Sequence, residues 1–380
     1  MREQILSNAR LVLDDEVVTG SLVIRDGRIA GLDIAPSRHP AAIDCDGDYL
    51  LPGLVELHTD NMEKYFQPRP KVAWPARQAA LAHDAQMAAS GITTVFDAVA
   101  IGDVNKQSMR HQALAEMCRA IDDIVDGGLA RVDHRLHLRC EVSQAETLER
   151  FRELVDLPRL GLVSLMDHTP GQRQFVSFEA YSTYYQGKYG LSDSELETFV
   201  TQQRASSARY SAQHRRAIAA ECHSRGLALA SHDDATLEHV AESREYGTRV
   251  AEFPTTLEAA EASHRAGMAV MMGAPNVVRG GSHSGNIAAA DLVARGVLDV
   301  LSSDYYPAAL LDAVFRIARM EGGYSLPRAV ATASRIPAEA VGLTDRGRLA
   351  AGARADLIRA RLCDDHPLVE RVWSAGRQVH

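Results

Sequence analysis

The sequence predicts an α/β fold: a (β/α)8 TIM barrel that carries a small β-sandwich made from both ends of the chain. Eight apolar runs alternate with amphipathic helical segments through the middle of the sequence. Short alternating β segments with turn glycines occur at both ends. The chain has 380 residues, which is enough for one large barrel or for two or three average domains.

The two chain ends have the same β texture. In the first 50 residues, Asp26-Gly27 is a strong hairpin signal between two alternating segments. In the last part of the chain, Gly376 marks a turn into a final short strand. The economical interpretation is that residues 1–50 and 344–380 form one sandwich, and that a metal-dependent barrel of residues 51–343 is inserted between them.

The barrel strands are expected at eight apolar runs. These are LVELHTD, GITTVFDAVAI, HRLHLRCEV, GLVSLMDHT, GLALASHDD, TRVAEFPTT, MAVMMGAPN and GVLDVLSSDYY. Segments such as ARQAALAHDAQMAAS, TLEHVAESREYG and LEAAEASHRAG have the pattern of the intervening helices. The stretch between His168 and Leu227 is longer than a simple crossover, and its tyrosines predict a loop and helix over the site: Tyr181, Tyr184, Tyr185 and Tyr189.

Composition excludes several classes of protein. Hydrophobic residues make up 46% and charged residues 24%, which is ordinary globular composition. The net charge of 41 minus 50, or −9, argues against a nucleic-acid surface. We find no apolar run of about 18 residues and no signal peptide in MREQILSNAR, so we expect a soluble cytoplasmic protein without membrane contact. The five scattered cysteines are expected to be buried thiols.

Potential metal ligands follow the predicted strands. His58 and Asp60 are two residues apart, so they share one face of the first strand. Reactive groups in such barrels gather at the carboxyl ends of the strands. Three histidines and three carboxylates there are the ligand set of a mononuclear or binuclear divalent-metal site: His58, Asp60, Glu141, His168, His232 and Asp304.

Some alternatives stay open for this site. His232 could belong with Asp233 and Asp234 to a helix N-cap cluster, and Asp167 rather than His168 could face inward. Asp97 and Asp103 could touch substrate, although a helix N-cap is favoured for both. The remaining histidines near these runs are expected to be structural, with their ring nitrogens satisfied: His83, His134 and His137.

Cations occur in several loops at the predicted barrel mouth. The candidate substrate-binding residues are Lys64, Arg69, Lys71, Arg173, Lys188, Arg279, Ser282 and His283. An acidic protein that places cations and glycine-rich backbone in such loops is expected to hold a polyanion. The alternative is that these loops are solvated caps in which Arg69 or Arg173 pairs with local acids.

Several motifs resemble the amidohydrolase superfamily, whose barrels carry a small β-sandwich from both termini. They are LPGLVELHTDN, the SSD that ends in Asp304, and GARADL. LVELHTDNMEKYFQPRPKVAWP, VSLMDHTPGQRQF, YYQGKY, ASHDDAT, GAPNVVRGGSHSGN and SSDYYPA are together similar to one family within it, the diphosphatases of the carbon-phosphorus lyase pathway. Two features depart from the superfamily. Asp60 stands where a second histidine is usual, and GLVSLMDH lacks the bridging lysine, for which Glu141 is the natural substitute.

The resemblance implies hydrolysis of α-D-ribose 1-methylphosphonate 5-triphosphate to the 5-phosphate and pyrophosphate in phosphonate catabolism. One or two divalent ions, zinc foremost and Mn, Fe or Ni as alternatives, would activate water, and Asp304 would accept its proton. The partner is a small phosphorylated sugar, and we expect a homo-oligomer. The alternatives are a C–N amidohydrolase (deacetylase, dipeptidase or cyclic amidase), which the same ligands would serve, and a non-catalytic barrel.

Overall fold

The computed structural model describes residues 3–69, 72–102, 109–173, 192–282 and 285–380. The first part of the chain is a series of short strands. They are β1 Gln4–Val12, β2 Val17–Arg25, β3 Arg28–Asp33, β4 Ile43–Asp44 and β5 Tyr49–Pro52. β2 and β3 form a hairpin across Asp26 and Gly27, whose φ angles are 50° and 78°. Two successive left-handed residues are what a type I′ turn requires, so the predicted hairpin is confirmed.

Each of the eight predicted runs forms a barrel strand. They are β6 Leu54–Thr59, β7 Ile92–Ile101, β8 Asp133–Glu141, β9 Leu160–Met166, β10 Ala228–His232, β11 Val250–Glu252, β12 Ala269–Gly273 and β13 Val300–Ser302. Neighbours pair in parallel and in chain order from β6 to β13. The array is nearly closed by backbone bonds, because Asp60 N–H donates to Asp304 C=O and Asp304 N–H donates to His58 C=O, both at 3.1 Å. The predicted (β/α)8 barrel is confirmed.

Helices follow or precede the barrel strands. They run Asn61–Phe66, Ala76–Ala89, Met109–Asp126, Thr147–Leu154, Asp193–Arg225, Leu237–Glu245, Leu257–Arg265, Ala274–Arg279, Ala289–Arg295, Ala309–Arg319, Leu326–Ala331 and Arg335–Ala340. Ile121 and Ile124 pack with Leu136 and Leu138 of β8 in one apolar cluster between helix and barrel. Within the described ranges, no helix combines the length and the apolar character that crossing a membrane requires.

The long insertion between β9 and β10 contains the helix Asp193–Arg225. A capping box formed by Ser192 and Glu195 begins this helix, and the left-handed Gly226 ends it. The tyrosines predicted to lie over the site fall outside the described residues: Tyr181, Tyr184, Tyr185 and Tyr189.

The barrel interior changes from apolar to polar along its strands. Ala228, Ala230 and His232 lie on one face of β10 because strand side chains alternate. The two alanines pack with Leu162 of β9 and Val250 of β11. The strand ends therefore present polar side chains above a packed apolar core, as in other barrels of this type.

The last part of the chain returns to the first sheet. Its strands are β14 Leu357–Cys363, β15 His366–Ser374 and β16 Arg377–Gln378, with the predicted turn at Gly376 between the last two. β14 pairs antiparallel with β5, and β5 pairs parallel with β1, so both chain ends share one mixed sheet. Leu6, Leu22 and Trp373 lie in its core. The boundaries 1–50, 51–343 and 344–380 stay predictions.

The cysteines are free thiols in this fold. Cys45, Cys118, Cys140 and Cys222 are buried as predicted, and Cys363 is partly exposed. Their dispersal over the sheet, the helices and the barrel strands leaves them outside the polar groups at the barrel mouth.

Candidate metal centre

Three of the predicted ligands meet where β6 and β13 close the barrel. His58 Nε2 lies 4.0 Å from Asp60 Oδ1. One donor atom from each of His58, Asp60 and Asp304 falls within a 4.8 Å span. Asp304 takes a left-handed backbone conformation at φ 55°, and burial raises the pKa of its carboxyl group. The residues at the carboxyl ends of β6 and β13 thus form one polar group.

A second group lies at the ends of β9 and β10. His168, His232 and Asp233 also place their donor atoms within 4.8 Å of one another. The His58 and His232 rings are stacked at 5.7 Å between centroids, and the His168 and His232 rings are 5.6 Å apart. The two groups are therefore neighbours on one face of the barrel.

A carboxylate lies next to Nδ1 of each of the three site histidines, His58, His168 and His232. Nδ1 of His58 lies 3.3 Å from Glu252 Oε1, and Nδ1 of His232 lies 3.0 Å from Glu252 Oε2. Nδ1 of His168 lies 2.6 Å from Glu141 Oε2. A histidine whose Nδ1–H donates to a carboxylate presents the Nε2 lone pair to a metal ion, which is the usual arrangement of metal-binding histidines. The donor set therefore fits a divalent cation.

Glu252 is a site residue that the sequence analysis missed. It ends β11 and is fully buried, and it also accepts a hydrogen bond from Ser164 Oγ at 2.7 Å. Burial raises the pKa of this carboxyl group, but the nearby His137 and His58 and the hydrogen bond from His232 outweigh burial and hold the pKa well below its usual range. The available signal was its place at the carboxyl end of the sixth predicted strand.

Glu141, predicted as a ligand, lies next to His168 with both of its carboxylate oxygens engaged. Oε1 accepts hydrogen bonds from Ser143 Oγ at 2.7 Å and from the His168 N–H at 3.1 Å. Oε2 lies against His168 Nδ1. In this arrangement Glu141 orients the imidazole of His168.

Arg139 is a second residue that was missed. It lies two positions before Glu141 on β8 and so on the same face of that strand. Its Nη1 donates to Asp60 Oδ1 at 2.6 Å. Burial lowers the pKa of Arg139, but Asp60 and Glu252 outweigh burial and raise the pKa above its usual value. A buried guanidinium thus stands beside one of the candidate ligands.

The open alternatives at β9 and β10 are decided by hydrogen bonding. Asp167 accepts hydrogen bonds from Ser211 Oγ at 2.9 Å and Arg215 Nη2 at 3.1 Å, while His168 joins the site. The N-cap interpretation of Asp233 and Asp234 is wrong. Thr236 caps the helix Leu237–Glu245 instead, with its side chain accepting from the His239 N–H.

The predicted N-cap role of Asp97 is also wrong, because Asp97 is buried in the middle of β7. Its oxygens lie 2.6 Å from His83 Nε2 and 2.7 Å from His134 Nδ1. These are hydrogen-bond lengths, shorter than the separation of about 3.3 Å between donor atoms around a tetrahedral ion. His83 and His134 have hydrogen-bond partners at their rings as predicted, and so does His137, which contacts the Leu57 C=O and Ser164 Oγ. Asp103 lies outside the described residues.

The predicted cations divide into different environments. Lys64 donates to the Tyr305 C=O, and Arg279 Nη1 lies 3.5 Å from the Tyr305 hydroxyl. Both side chains are exposed and meet one residue after Asp304. Arg69 is exposed, and Ser282 is partly exposed. Lys71, Lys188 and His283 lie outside the described residues.

Arg173 pairs with local acids, which is the alternative that the sequence left open for this residue. Its guanidinium is 3% exposed and contacts Asp234 and Glu242, the latter at 2.8 Å. Burial lowers the pKa of Arg173 to about 10, with nearby Arg215 acting in the same direction. Its charge is thus balanced within the protein.

Comparison with known proteins agrees with this fold. The chain is 54% identical over 376 residues, covering 99% of its length and 100% of the relative, to the α-D-ribose 1-methylphosphonate 5-triphosphate diphosphatase of Escherichia coli (strain K12). Among solved structures, ochratoxinase of A. niger (TM-score 0.67, 15% identity, 99% of this chain and 95% of that chain) has the same fold. The N-acetyl-D-glucosamine-6-phosphate deacetylase of Mycobacterium smegmatis also has this fold. Its TM-score is 0.65 at 18% identity, and the match covers 99% of this chain and 100% of that chain. Residues 67–380 match the amidohydrolase family, and the chain belongs to that family.

Proposed function

We propose that the protein is a metal-dependent diphosphatase that converts α-D-ribose 1-methylphosphonate 5-triphosphate into the 5-phosphate and pyrophosphate. The observation that carries this proposal is the 54% identity to the E. coli diphosphatase across 99% of the chain. The matched range covers 99% of the chain, so it takes in the barrel and the terminal sheet together. We place the protein in phosphonate catabolism in the cytoplasm, as a homo-oligomer.

The histidines would hold one or two divalent ions, zinc foremost and Mn, Fe or Ni as alternatives. A cation at the barrel mouth would act as a Lewis acid and would lower the pKa of a water to about 7. Glu252 and Glu141 fix the rings of His58, His232 and His168, so that their Nε2 atoms point into the cleft. Asp60 and Asp304 add carboxylate oxygens on the β6–β13 side.

Asp304 would accept the proton of the attacking water. Its carboxyl group is largely buried, and the raised pKa brings it closer to neutral pH than that of an ordinary aspartate. A general base works best when its pKa lies near the working pH, because it is then both deprotonated and basic. The bond broken is the anhydride between the first and second phosphates, and pyrophosphate is the leaving group.

Cations near Asp304 support a polyanionic substrate. Lys64 and Arg279 reach the main chain and the hydroxyl of Tyr305, so two positive charges flank the residue that follows the proposed base. They would neutralise the triphosphate and the charge that develops on the leaving group. Arg69, Lys71, Lys188, Ser282 and His283 stay proposed substrate contacts, whereas Arg173 is left out because acids already balance its charge.

The test is a product analysis of the purified full-length protein, loaded with zinc or manganese. The expected result is one pyrophosphate per 5-phosphate released from α-D-ribose 1-methylphosphonate 5-triphosphate. N-acetylglucosamine 6-phosphate, a dipeptide and N-acyl amino acids serve as a panel for C–N hydrolysis. Hydrolysis of a panel member without pyrophosphate release from the triphosphate would overturn the proposal in favour of an amidohydrolase acting on C–N bonds.

A further inference from the structure

Asp233 is a buried carboxylate that the predicted ligand set does not include. It directly follows His232, and only 4% of its surface is exposed. Its Oδ2 has no hydrogen-bond partner among the described residues. Burying a carboxylate oxygen without a partner is unfavourable, so its position points to a group that binds there.

The backbone of Asp233 is held in an unusual conformation. Its φ is 57°, in the left-handed region that glycine adopts most readily. Its N–H donates to the Glu252 C=O at 2.9 Å, which continues the pairing of β10 with β11 and fixes the residue there. Strained residues at a strand end are a recurrent feature of functional sites, because the surrounding structure has to hold them in place.

The nearest side-chain nitrogens to Oδ2 belong to two of the site histidines. Oδ2 lies 3.4 Å from His232 Nε2 and 3.8 Å from His168 Nε2. In each ring Nδ1 faces a carboxylate, which leaves Nε2 as the nitrogen that would bind a metal ion. Three potential ligand atoms thus lie within 4.8 Å of one another, a spacing that a divalent cation could bridge.

We propose that Asp233 binds the divalent cation together with His168 and His232, and that Glu141 holds His168 without binding the ion. Glu141 cannot turn toward the cation without giving up the bonds from Ser143 and the His168 main chain. Asp233 has no such bonds to lose at Oδ2. This inference rests on the proposed function in one respect: it assumes the same divalent ion. It concerns how that ion is bound and not the reaction that follows.

The test compares Asp233→Asn with Glu141→Gln in the full-length protein, using zinc chloride alone as the ligand. Asparagine tolerates a left-handed backbone as aspartate does, so Asp233→Asn removes the charge and keeps the conformation. Asp46→Asn is the matched control, because Asp46 is also left-handed (φ 53°) but lies at the exposed end of a turn far from the barrel mouth.

We measure the zinc dissociation constant and the melting temperature of the chelator-treated protein with and without zinc. Asp233→Asn is expected to weaken zinc binding more than about 100-fold and to melt no lower than wild type without zinc. Glu141→Gln is expected to weaken binding by about 10-fold, as for residues that orient a ligand. Asp233→Gly, which relieves the backbone and removes the carboxylate, should repeat the Asp233→Asn result. Wild-type zinc affinity in both Asp233 variants, or a larger loss in Glu141→Gln, would overturn the assignment.

The two proposals fail in different ways. Zinc binding that depends on Asp233 in a protein that releases no pyrophosphate would overturn the diphosphatase and keep the ligand assignment. Pyrophosphate release by a protein whose zinc affinity does not depend on Asp233 would keep the diphosphatase proposal and overturn the ligand assignment.

Discussion

Arg139 and Asp60 form an ion pair at the barrel mouth, with Nη1 of the arginine 2.6 Å from Oδ1 of the aspartate. Asp60 stands where the wider superfamily usually has the second histidine of a His-x-His pair. An aspartate brings a negative charge that a neutral imidazole does not, and Arg139 offsets that charge. The arginine on β8 and the aspartate after β6 thus depend on one another.

Replacing Arg139 by Met should remove the guanidinium that donates to the Asp60 carboxylate. The pair is part-buried, with the arginine and aspartate side chains 11% and 24% exposed, and a hydrogen bond to a charged group contributes about 1.5–3 kcal/mol. We therefore expect the free energy of unfolding to fall by that order and turnover to fall with it. Urea unfolding and steady-state kinetics measure the two effects. Arg135→Met is the control, because Arg135 is partly exposed and its Nη2 lies as far as 3.5 Å from Asp133 Oδ2. This variant should change the free energy of unfolding by less than about 1 kcal/mol.

Guanidinium chloride at low concentration should restore part of the turnover of Arg139→Ala, since the small cation can enter the space and pair with Asp60. The same addition should do nothing for Arg135→Ala. Equal activity of Arg139→Ala and wild type would show that Asp60 needs no partner.

Replacing Glu252 by Gln should weaken metal binding. The carboxylate accepts from Nδ1 of His58 and of His232, so its loss frees two rings to rotate and removes the charge that favours Nδ1 protonation. Loss of such an orienting residue lowers metal affinity by about 10–100-fold. Zinc titration of the chelator-treated protein measures this change, with the exposed Glu238→Gln as control. An unchanged affinity would mean that the histidines keep their positions without Glu252.

The sequence predicted the barrel well because its signals are local and repeated. Each parallel strand is a short apolar run, and the chain reaches a new strand only through a helix, so the eight runs could be located one by one. The candidate ligands His58, His168 and His232 lie at the ends of such runs and could be located for that reason. The Asp26-Gly27 hairpin was equally local.

The residues whose roles could not be predicted from the sequence depend on contacts between distant strands. Glu252 ends a run of only three strand residues, and its importance comes from two histidines on β6 and β10. Arg139 gains its role from Asp60, 79 positions earlier. Asp97 was assigned to a helix cap because its burial between His83 and His134 cannot be deduced from spacing. Such pairings over long sequence distances are set by the closure of the barrel.

Replacing Asp304 by Asn should lower turnover by about 10²–10⁴-fold, the usual contribution of a general base. The amide has nearly the same shape but cannot take up a proton. The histidines keep their Nε2 atoms in place and the asparagine keeps a side-chain oxygen for the ion, so most of the zinc content should be retained. Metal analysis and single-turnover kinetics measure the two properties, and full activity of this variant would remove Asp304 from the proton transfer.

The buried pair of Asp97 and His134 should make stability depend on pH. Burial would raise the pKa of Asp97, but His134 and His83 outweigh it and bring the pKa from 3.8 to about 2. This contribution to stability is present above pH 3.8 and is lost as the pH falls through about 2. Burial would lower the pKa of His134, but Asp97 and Asp84 raise it from 6.5 to about 9. That contribution is present below pH 6.5 and is lost as the pH rises through about 9.

We therefore expect His134→Gln to flatten the loss of unfolding free energy between about pH 6.5 and 9. Asp97→Asn should flatten it in part and should cost about 1.5–3 kcal/mol near pH 6, because it removes one of the two carboxylates that contact the buried imidazolium and leaves Asp84 at 3.3 Å. Urea unfolding at pH 6 and pH 9 measures both effects. The exposed His39→Gln should leave the profile unchanged, and a wild-type slope in His134→Gln would assign the pH dependence to other groups.

The last prediction separates a triphosphate substrate from an amide. Lys64 and Arg279 meet at Tyr305 and are exposed, so their removal should change binding of the substrate more than the fold. A hydrogen bond to a charged group contributes about 1.5–3 kcal/mol, so Lys64→Met and Arg279→Met should each raise KM for the triphosphate by roughly 10-fold or more. The difference from wild type should shrink as salt is added, because salt screens exposed charges. Arg361→Met on β14 is the control for loss of an exposed arginine. An unchanged KM in the double variant Lys64→Met with Arg279→Met would place the phosphates elsewhere at the barrel mouth.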